Sequence, residues 1–391
     1  MPAYSTIPNV NAHIHTPFSF SAFEKLTEAL DKAYDEDVKI VGINDFYSMD
    51  GFVEWKRESF KRHLIPLFNI EFISLQLEDQ KKGIRINDPN NPGRTYISGK
   101  GLICPPKLTD ADASILATIR EESNRQVFEM CCKLNELLAS NDAGFSLDFD
   151  LIKNIFSKGL VRERHLAKAL RMSVYIHCKN KPEEITVLFE KIFNGKRLQS
   201  EIFNFAGVEN EIRNNLLKAG GAAFVPEAPS AFLPLEEVCR FIQAAGGIPT
   251  YPFLGDDASG GFTDFENDIE KAAQTLKQRG IFSAEFITTR NSIETLETYA
   301  GYLYDNGFVV TFGSEHNTPV MEPIKLCARN NQPLTERLKL INYNGACIIA
   351  SHQERIRANK PGYVDANGTT DIANREAFIR EGDSIIRNVI Q

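Results

Sequence analysis

Two histidines near the start of the chain, His13 and His15, have the spacing of a metal chelate. They close an apolar run at residues 10–15 that is typical of a β-strand. Side chains two positions apart on a strand project to the same face, so both imidazoles can reach one ion. Two structural histidines would produce the same pattern, so the interpretation depends on the residues that accompany them.

Other side chains suited to catalysis follow later apolar runs of strand length. Asp45 ends the second run, Glu71 lies at the end of the third, and Glu315 with His316 follows the last. In an α/β barrel, catalytic groups come from the carboxyl ends of several strands. The pattern therefore predicts that these side chains gather with the histidine pair at one mouth of a barrel.

Short apolar runs alternate with helical patterns, which is typical of βα units joined into a parallel sheet or barrel. The runs predict seven strands, at residues 10–15, 38–43, 64–72, 222–226, 248–253, 281–287 and 308–313. Between residues 76 and 171 this alternation is interrupted, first by a segment rich in Gly, Pro and Asn and then by helical patterns. The predicted fold is an α/β fold, a distorted TIM-like (β/α)7 barrel with a helical insertion.

The 391 residues exceed most single hydrophobic cores, but a barrel with an insertion absorbs such a length in one unit. We expect residues 1–75 and 172–330 to form the two parts of the barrel. Residues 76–171 are predicted to be a mainly helical insertion that lies near the mouth as a lid. Residues 331–391 are predicted to be a helical tail packed on the barrel.

The composition is that of an ordinary globular protein, with 42% hydrophobic and 25% charged residues. A net charge of -8 opposes binding to a phosphate backbone, so we expect a small substrate and no extended nucleic acid. No stretch reaches the roughly 18 apolar residues of a membrane span, and the first residues do not resemble a secretion signal. We therefore expect a cytoplasmic protein without a membrane partner, whose seven cysteines are reduced. The oligomeric state does not follow from the sequence.

Several ordered segments resemble the PHP (polymerase and histidinol phosphatase) family. Three early segments are similar to its first three motifs: Asn-Ala-His-Ile-His-Thr at 11–16, Gly-Ile-Asn-Asp-Phe at 42–46, and Asn-Ile-Glu-Phe with a bridging glutamate at 69–72. Three later segments resemble the R-x-H-[IL]-A-x-A-L stretch of its nucleotide-phosphatase-like branch, its G-G-x-P-x-x-A-H-P segment and its closing G-S-D-x-H, at 164–170, 246–252 and 313–316. The resemblance covers about residues 9–75 and 160–320, and it implies a PHP-type barrel with metal-dependent phosphoesterase activity.

The chain departs from the family pattern at three usual ligand positions. Phe46 and Tyr251 stand where the family has histidines, and residues 20–21 occupy the place of another ligand. The resemblance then implies a metal centre with fewer ions than the family's full cluster. One or two ions are expected, with a ligand set of His13, His15, Glu71 and Glu315. Nitrogen and oxygen ligands suit zinc, manganese or iron, and the sequence does not choose among these metals.

The expected reaction is hydrolysis of a small phosphorylated metabolite or nucleotide. Asp45 is predicted to orient a ligand or accept a proton. His316 is predicted to be a second catalytic residue. Arg164, His165 and Arg290 are predicted to bind the phosphate, because cationic groups pair with its oxygens, although a solvated helix start explains the first two equally well. Two alternatives remain open. One is a ligand-binding or regulatory barrel without turnover, and the other is an amidohydrolase-type metal hydrolase, whose barrel also opens with H-x-H.

Overall fold

The computed structural model describes residues 7–390. One barrel-shaped sheet contains seven strands in chain order: β1 (Asn9–Ile14), β2 (Val38–Phe46), β3 (Ile65–Leu75), β4 (Arg94–Lys100), β5 (Ile248–Phe253), β6 (Ser283–Ile287) and β7 (Val309–Gly313). Neighbouring strands are parallel except around β4, which is antiparallel to both β3 and β5. The predicted α/β barrel of seven strands is confirmed.

The barrel closes between its first and last strands. The backbone N–H of His15 donates to the carbonyl oxygen of Glu315 at 2.7 Å, and the N–H of Glu315 donates to the carbonyl oxygen of His13 at 3.0 Å. Gly313 permits this approach, because a Cβ at that position would lie 2.2 Å from the Cβ of His13. The end of β7 is therefore held directly against the histidine pair.

Helices cover the outside of the sheet. Their bounds are α1 (Leu26–Asp35), α2 (Phe52–Phe60), α3 (Leu77–Lys81), α4 (Asp110–Ser140), α5 (Phe149–Phe156), α6 (Glu163–His177), α7 (Pro182–Ile192), α8 (Phe205–Ile212), α9 (Leu235–Ala244), α10 (Ile269–Gln278), α11 (Ile293–Thr295), α12 (Gly301–Asp305), α13 (Glu336–Arg357) and α14 (Arg375–Ile390). Single π turns at Arg213–Leu217 and Leu296–Ala300 extend α8 and join α11 to α12. None of the helices within residues 7–390 is long and apolar enough to cross a membrane.

The apolar face of α1 shows why the barrel helices form. Leu26, Ala29, Leu30 and Ala33 recur at three- and four-residue spacing, and all four are buried in the main hydrophobic cluster. This spacing places them on one stripe of the helix, which packs against β2. Burial of that stripe, rather than intrinsic helix propensity, supplies most of the stability of such a helix.

The C-terminal helices pack against the amino ends of the strands. Tyr343 and Ile348 of α13 lie in one buried cluster with Val10, Ile40 and Val309, each near the start of a strand. The side chain of Asn342 also links the two closing strands, because it accepts from the N–H of Phe312 at 2.8 Å and donates to the carbonyl of Val10 at 3.1 Å. The tail therefore seals the end of the barrel opposite the histidine pair.

Residues 127–225 contribute a second hydrophobic core, separate from that of the barrel. The long helix α4 belongs to both cores. Leu116 and Ile119 near its start are buried in the barrel cluster, whereas Val127 and Leu134 are buried in the second cluster. The helical part of the chain is thus anchored to the barrel through a shared helix.

Three details of the predicted segmentation differ from the structure. Residues 222–226 form no strand, because Ala223 and Val225 are buried in the second core. The fourth barrel strand is β4, inside the range 76–171 that was predicted to be an insertion, and the helical segment continues to Leu217. An antiparallel strand that carries Arg94 and Lys100 lacks the apolar run that marks a parallel barrel strand, so its sequence is not typical of one.

Candidate metal centre

His13, His15 and Glu71 meet inside the barrel near the carboxyl ends of β1 and β3, and they form a group that could hold a metal ion. The Nε2 atoms of the two histidines lie 3.2 Å apart. Glu71 Oε2 lies 3.2 Å from His15 Nε2 and 3.7 Å from His13 Nε2. All three side chains are buried, and their three donor atoms surround a single point.

The donor geometry fits a divalent ion. In a tetrahedral zinc site with bonds of about 2.0–2.1 Å, neighbouring donors lie about 3.3–3.4 Å apart. The three observed separations bracket that value. Glu71 Oε2 is also buried and accepts no hydrogen bond from the described residues, although a buried carboxylate oxygen without a partner is costly. A cation at the shared point would satisfy it.

The protonation of His15 also suits ligation. Burial, reinforced by the neighbouring His13, lowers the pKa of His15 well below its usual range. His15 is therefore neutral, which is the form in which imidazole binds metals. Burial raises the pKa of Glu71 in the absence of an ion, so the carboxylate needs a cation to remain charged.

A second carboxylate orients His13 from behind. Glu285 lies on β6 and is fully buried. Its Oε2 is 3.0 Å from His13 Nδ1. The same Oε2 lies 2.6 Å from the Nζ of Lys100 on β4, which is also fully buried. Burial alone would raise the pKa of Glu285, but Lys100 and His13 hold it well below its usual range. A carboxylate behind a ligating histidine commonly fixes the imidazole orientation and tautomer.

His15 is oriented through a hydroxyl group. Its Nδ1 lies 3.2 Å from Ser19 Oγ, which donates to Asp45 Oδ1 at 2.6 Å. Asp45 also accepts from the backbone N–H and the hydroxyl of Thr16 at 2.7 and 2.5 Å. Burial raises the pKa of Asp45 to about 7, although these hydrogen bonds act in the opposite direction. Asp45 is thus linked to His15 through the hydroxyl of Ser19.

Glu315 lies beside the cluster but does not join it. Its carboxylate Oε2 forms an ion pair with Arg290. The backbone of both Glu315 and His316 is left-handed, with φ of 65° and 58°, which is uncommon for residues other than glycine. Glu315 lines the cavity and is not part of the three-donor group.

His316 is separated from the cluster. Its Nδ1 lies 2.7 Å from Ser314 Oγ, and its Nε2 lies 2.9 Å from the carbonyl oxygen of Glu322. The ring also stacks on Phe23, with 5.1 Å between centroids. Both ring nitrogens are therefore engaged away from the metal-ligating group, and the structure does not bring this predicted catalytic residue to it.

A cavity of about 720 Å³ opens from Glu71 toward the helical segment. Its wall carries cationic side chains from both parts of the chain: Arg94, Arg162, Arg164, Arg213, Lys218 and Arg290. Aromatic side chains of the barrel mouth lie under two of them. The Arg162 guanidinium carbon is 5.1 Å from the centroid of Phe46, and that of Arg164 is 5.7 Å from the centroid of Phe20. The cavity thus joins the candidate metal centre to a wall on which Arg164 and Lys218 form no ion pair among the described residues, whereas carboxylates pair with the other four cations.

The predicted phosphate-binding residues have different environments. Arg164 and Arg290 line the cavity, and burial together with the nearby Arg213 lowers the pKa of Arg164 to about 10. Its only hydrogen-bond partner among the described side chains is Asn210, at 3.2 Å. His165 instead accepts from the backbone N–H of Arg162 at 2.9 Å, and burial lowers its pKa to about 3. It caps the start of α6 as a neutral ring and is not part of the cavity wall.

Sequence reasoning missed the residues behind the cluster. Glu285 is an acidic residue inside an apolar strand, and that contrast was the available signal. Lys100 gave none, because its segment was interpreted as part of the insertion. Phe46 stacks on His15, with 5.0 Å between centroids and a tilt of 19°. It therefore packs against the ligand ring where the family resemblance would place a histidine.

The sequence matches no family model, and it matches no curated protein. Solved structures are similar in fold. An amidohydrolase from Chromobacterium violaceum, with bound sulfate and no metal, is 17% identical, with a TM-score of 0.55 over 85% of this chain and 96% of that chain. A protein from Bifidobacterium adolescentis assigned as a metal-dependent phosphoesterase is 13% identical, with a TM-score of 0.54 over 86% of this chain and 96% of that chain. At these identities the likeness shows the fold alone.

Proposed function

We propose that the chain is a metal-dependent hydrolase of the PHP type, and that it cleaves a phosphoester of a small metabolite or nucleotide. The observation that carries the proposal is the position of Glu71. Its carboxylate belongs to the three-donor group and also lines the cavity that holds the arginines. A bound ion and a bound phosphate would therefore be neighbours.

The cavity wall explains the choice of substrate class. A phosphate ester carries up to two negative charges and needs cationic compensation in a partly desolvated pocket. Arg164 offers such compensation, because it is largely removed from solvent and no ion pair with a carboxylate occupies it among the described residues. Arg290 holds Glu315 in the absence of substrate, so a phosphate can compete for the same guanidinium group.

His13, His15 and Glu71 would hold the ion, and zinc, manganese and iron all accept such a nitrogen and oxygen ligand set. An ion bound there supplies Lewis-acid polarisation of a phosphoryl oxygen and lowers the pKa of a coordinated water. The remaining work belongs to the chain itself. Glu285 and Ser19 orient the two imidazoles, and the helical segment covers the cavity. The single group of three donors within residues 7–390 supports one principal ion.

The experiment combines metal analysis with a substrate screen. Purified protein is stripped of metal, reconstituted separately with zinc, manganese and iron, and assayed against phosphomonoesters, phosphodiesters and amides. We expect phosphoester hydrolysis that depends on the added metal and disappears in His13→Ala. The matched control is His63→Ala, because His63 is exposed and lies just before the amino end of β3.

Each alternative predicts a different result. Full activity of the metal-stripped protein, or unchanged activity of His13→Ala, refutes the metal-dependent hydrolase. Metal-dependent cleavage of amides but not of phosphoesters identifies the amidohydrolase alternative. Bound metal without any turnover identifies a ligand-binding barrel.

A further inference from the structure

A lysine side chain lies at the centre of the barrel. Lys100 is fully buried, and lysine is almost never fully buried unless it is paired. Its Nζ lies 2.6 Å from Glu285 Oε2, 3.3 Å from the carbonyl oxygen of Ala12 and 3.3 Å from Asn44 Oδ1. An ammonium group has three N–H donors, and three acceptors surround this one. The geometry is that of a fully satisfied cation.

Glu285 connects this cation to the metal-ligating group. Its Oε1 accepts from the hydroxyl of Ser98 at 2.5 Å, while its Oε2 faces both Lys100 Nζ and His13 Nδ1. An oxygen that accepts from an ammonium at 2.6 Å is an acceptor and not a donor. The hydrogen in the contact with His13 must therefore reside on Nδ1, so Nε2 carries a lone pair. In the metal-free protein this lone pair faces the amide nitrogen of Asn44 at 2.9 Å, and an ion at the point shared with His15 would take it instead.

We propose that Lys100 and Glu285 act as a buried positioning pair, which fixes His13 as the Nδ1–H tautomer and so presents an unprotonated Nε2 for metal binding. The inference rests on the metal site of the proposed function. Lys100 is not a catalytic residue here, because it acts on His13 only through Glu285. Its place on β4 also gives the antiparallel strand a role in the site.

The test reads the His13 tautomer directly in metal-free protein. Protein with ¹⁵N-labelled histidine is studied by long-range ¹H–¹⁵N correlation, and His13→Ala assigns the signal. We expect the Nδ1–H form in the wild type and a loss of this preference in Lys100→Met. Removing a partner behind a metal-ligating histidine typically weakens metal binding by about 10–100-fold, and we expect a loss of zinc affinity of this size.

Glu285→Gln should produce a similar loss, and the double variant Lys100→Met/Glu285→Gln should lose no more than either single variant. Such non-additivity is expected when one residue acts through the other. The double variant also leaves no unpaired buried charge, so it keeps the test usable if a single variant fails to fold. The control is Arg171→Met, which breaks the buried ion pair of Arg171 and Glu209, 2.8 Å apart, in the other core. It should leave the tautomer and the zinc affinity unchanged.

Two results would overturn the proposal. One is an Nε2–H form of His13 in the wild type, and the other is a folded double variant that keeps both the Nδ1–H form and the wild-type zinc affinity. A wild-type protein that binds no metal would instead refute the proposed function. The tautomer in the metal-free protein would still decide whether Lys100 and Glu285 position His13.

Discussion

Acidification should destabilise the protein through His352, a fully buried histidine in α13. Its Nε2 lies 2.7 Å from the carbonyl oxygen of Gly246, and its Nδ1 accepts from the backbone N–H of Tyr363 at 3.0 Å. These contacts suit a neutral ring with its hydrogen on Nε2. A second proton on Nδ1 would point at the N–H of Tyr363, and burial accordingly lowers the pKa of His352 to about 4.

The magnitude follows from the difference between the folded and unfolded pKa values. The ordinary pKa is 6.5, so the unfolded chain binds the proton more strongly between pH 6.5 and about pH 4. Stability therefore falls as the pH decreases through this window. One pKa unit corresponds to about 1.36 kcal/mol, which gives a full loss of about 3 kcal/mol. About 2 kcal/mol of this loss falls between about pH 7 and about pH 5.

The assay is urea unfolding of the wild type and of His352→Gln at the two pH values. Glutamine can still donate to the carbonyl of Gly246 but does not titrate. We expect the free energy of unfolding of this variant to fall by about 2 kcal/mol less than that of the wild type over the same interval. His63→Gln, at an exposed position, should keep the wild-type pH dependence. Equal pH dependence of the wild type and His352→Gln would refute the reasoning.

Three further predictions concern the site. Gly313→Ala should weaken metal binding and lower the free energy of unfolding by about 1–3 kcal/mol, because the new Cβ would lie 2.2 Å from the Cβ of His13. Calorimetric metal titration measures the first effect and urea unfolding the second. Wild-type metal affinity in this variant would contradict the expectation. Arg164→Gln should raise KM with little change in kcat, because it removes a substrate contact made in both ground and transition states. Steady-state kinetics test this against Arg197→Gln at an exposed position, and a fall in kcat at constant KM would be inconsistent with it. Added zinc at about 100 times its Kd should stabilise the folded protein by about 2.7 kcal/mol. Thermal unfolding with and without zinc measures that gain, His13→Ala should not show it, and an equal gain in both proteins would place the bound zinc elsewhere.

The ligating core of the site could be predicted from the sequence because it depends on local geometry. His13 and His15 share a face by the period of a strand, and Glu71 lies on a parallel strand whose apolar run identifies it. The number of barrel strands was predicted correctly for the same reason. One of the seven was nevertheless placed at 222–226, whose apolar residues serve the second core.

The other residues near the site could not be placed from the sequence, because their positions depend on features that leave no local signal. Glu315 and His316 lie in a left-handed turn, a conformation that is uncommon for residues other than glycine. Lys100 and Glu285 are 185 positions apart in the sequence and meet only through the arrangement of β4 and β6 in the barrel. Charged residues in a segment without apolar periodicity give no indication of a buried ion pair.

The shared helix α4 limits how the molecule can be divided. Its 31 residues span about 46 Å, and its two ends are buried in different hydrophobic cores. Deletion of the helical segment would therefore remove Leu116 and Ile119 from the barrel as well, and would leave cavities where they pack. A functional barrel trimmed to its minimal size would have to keep the first three turns of this helix, and the segment could not be grafted onto another barrel without them.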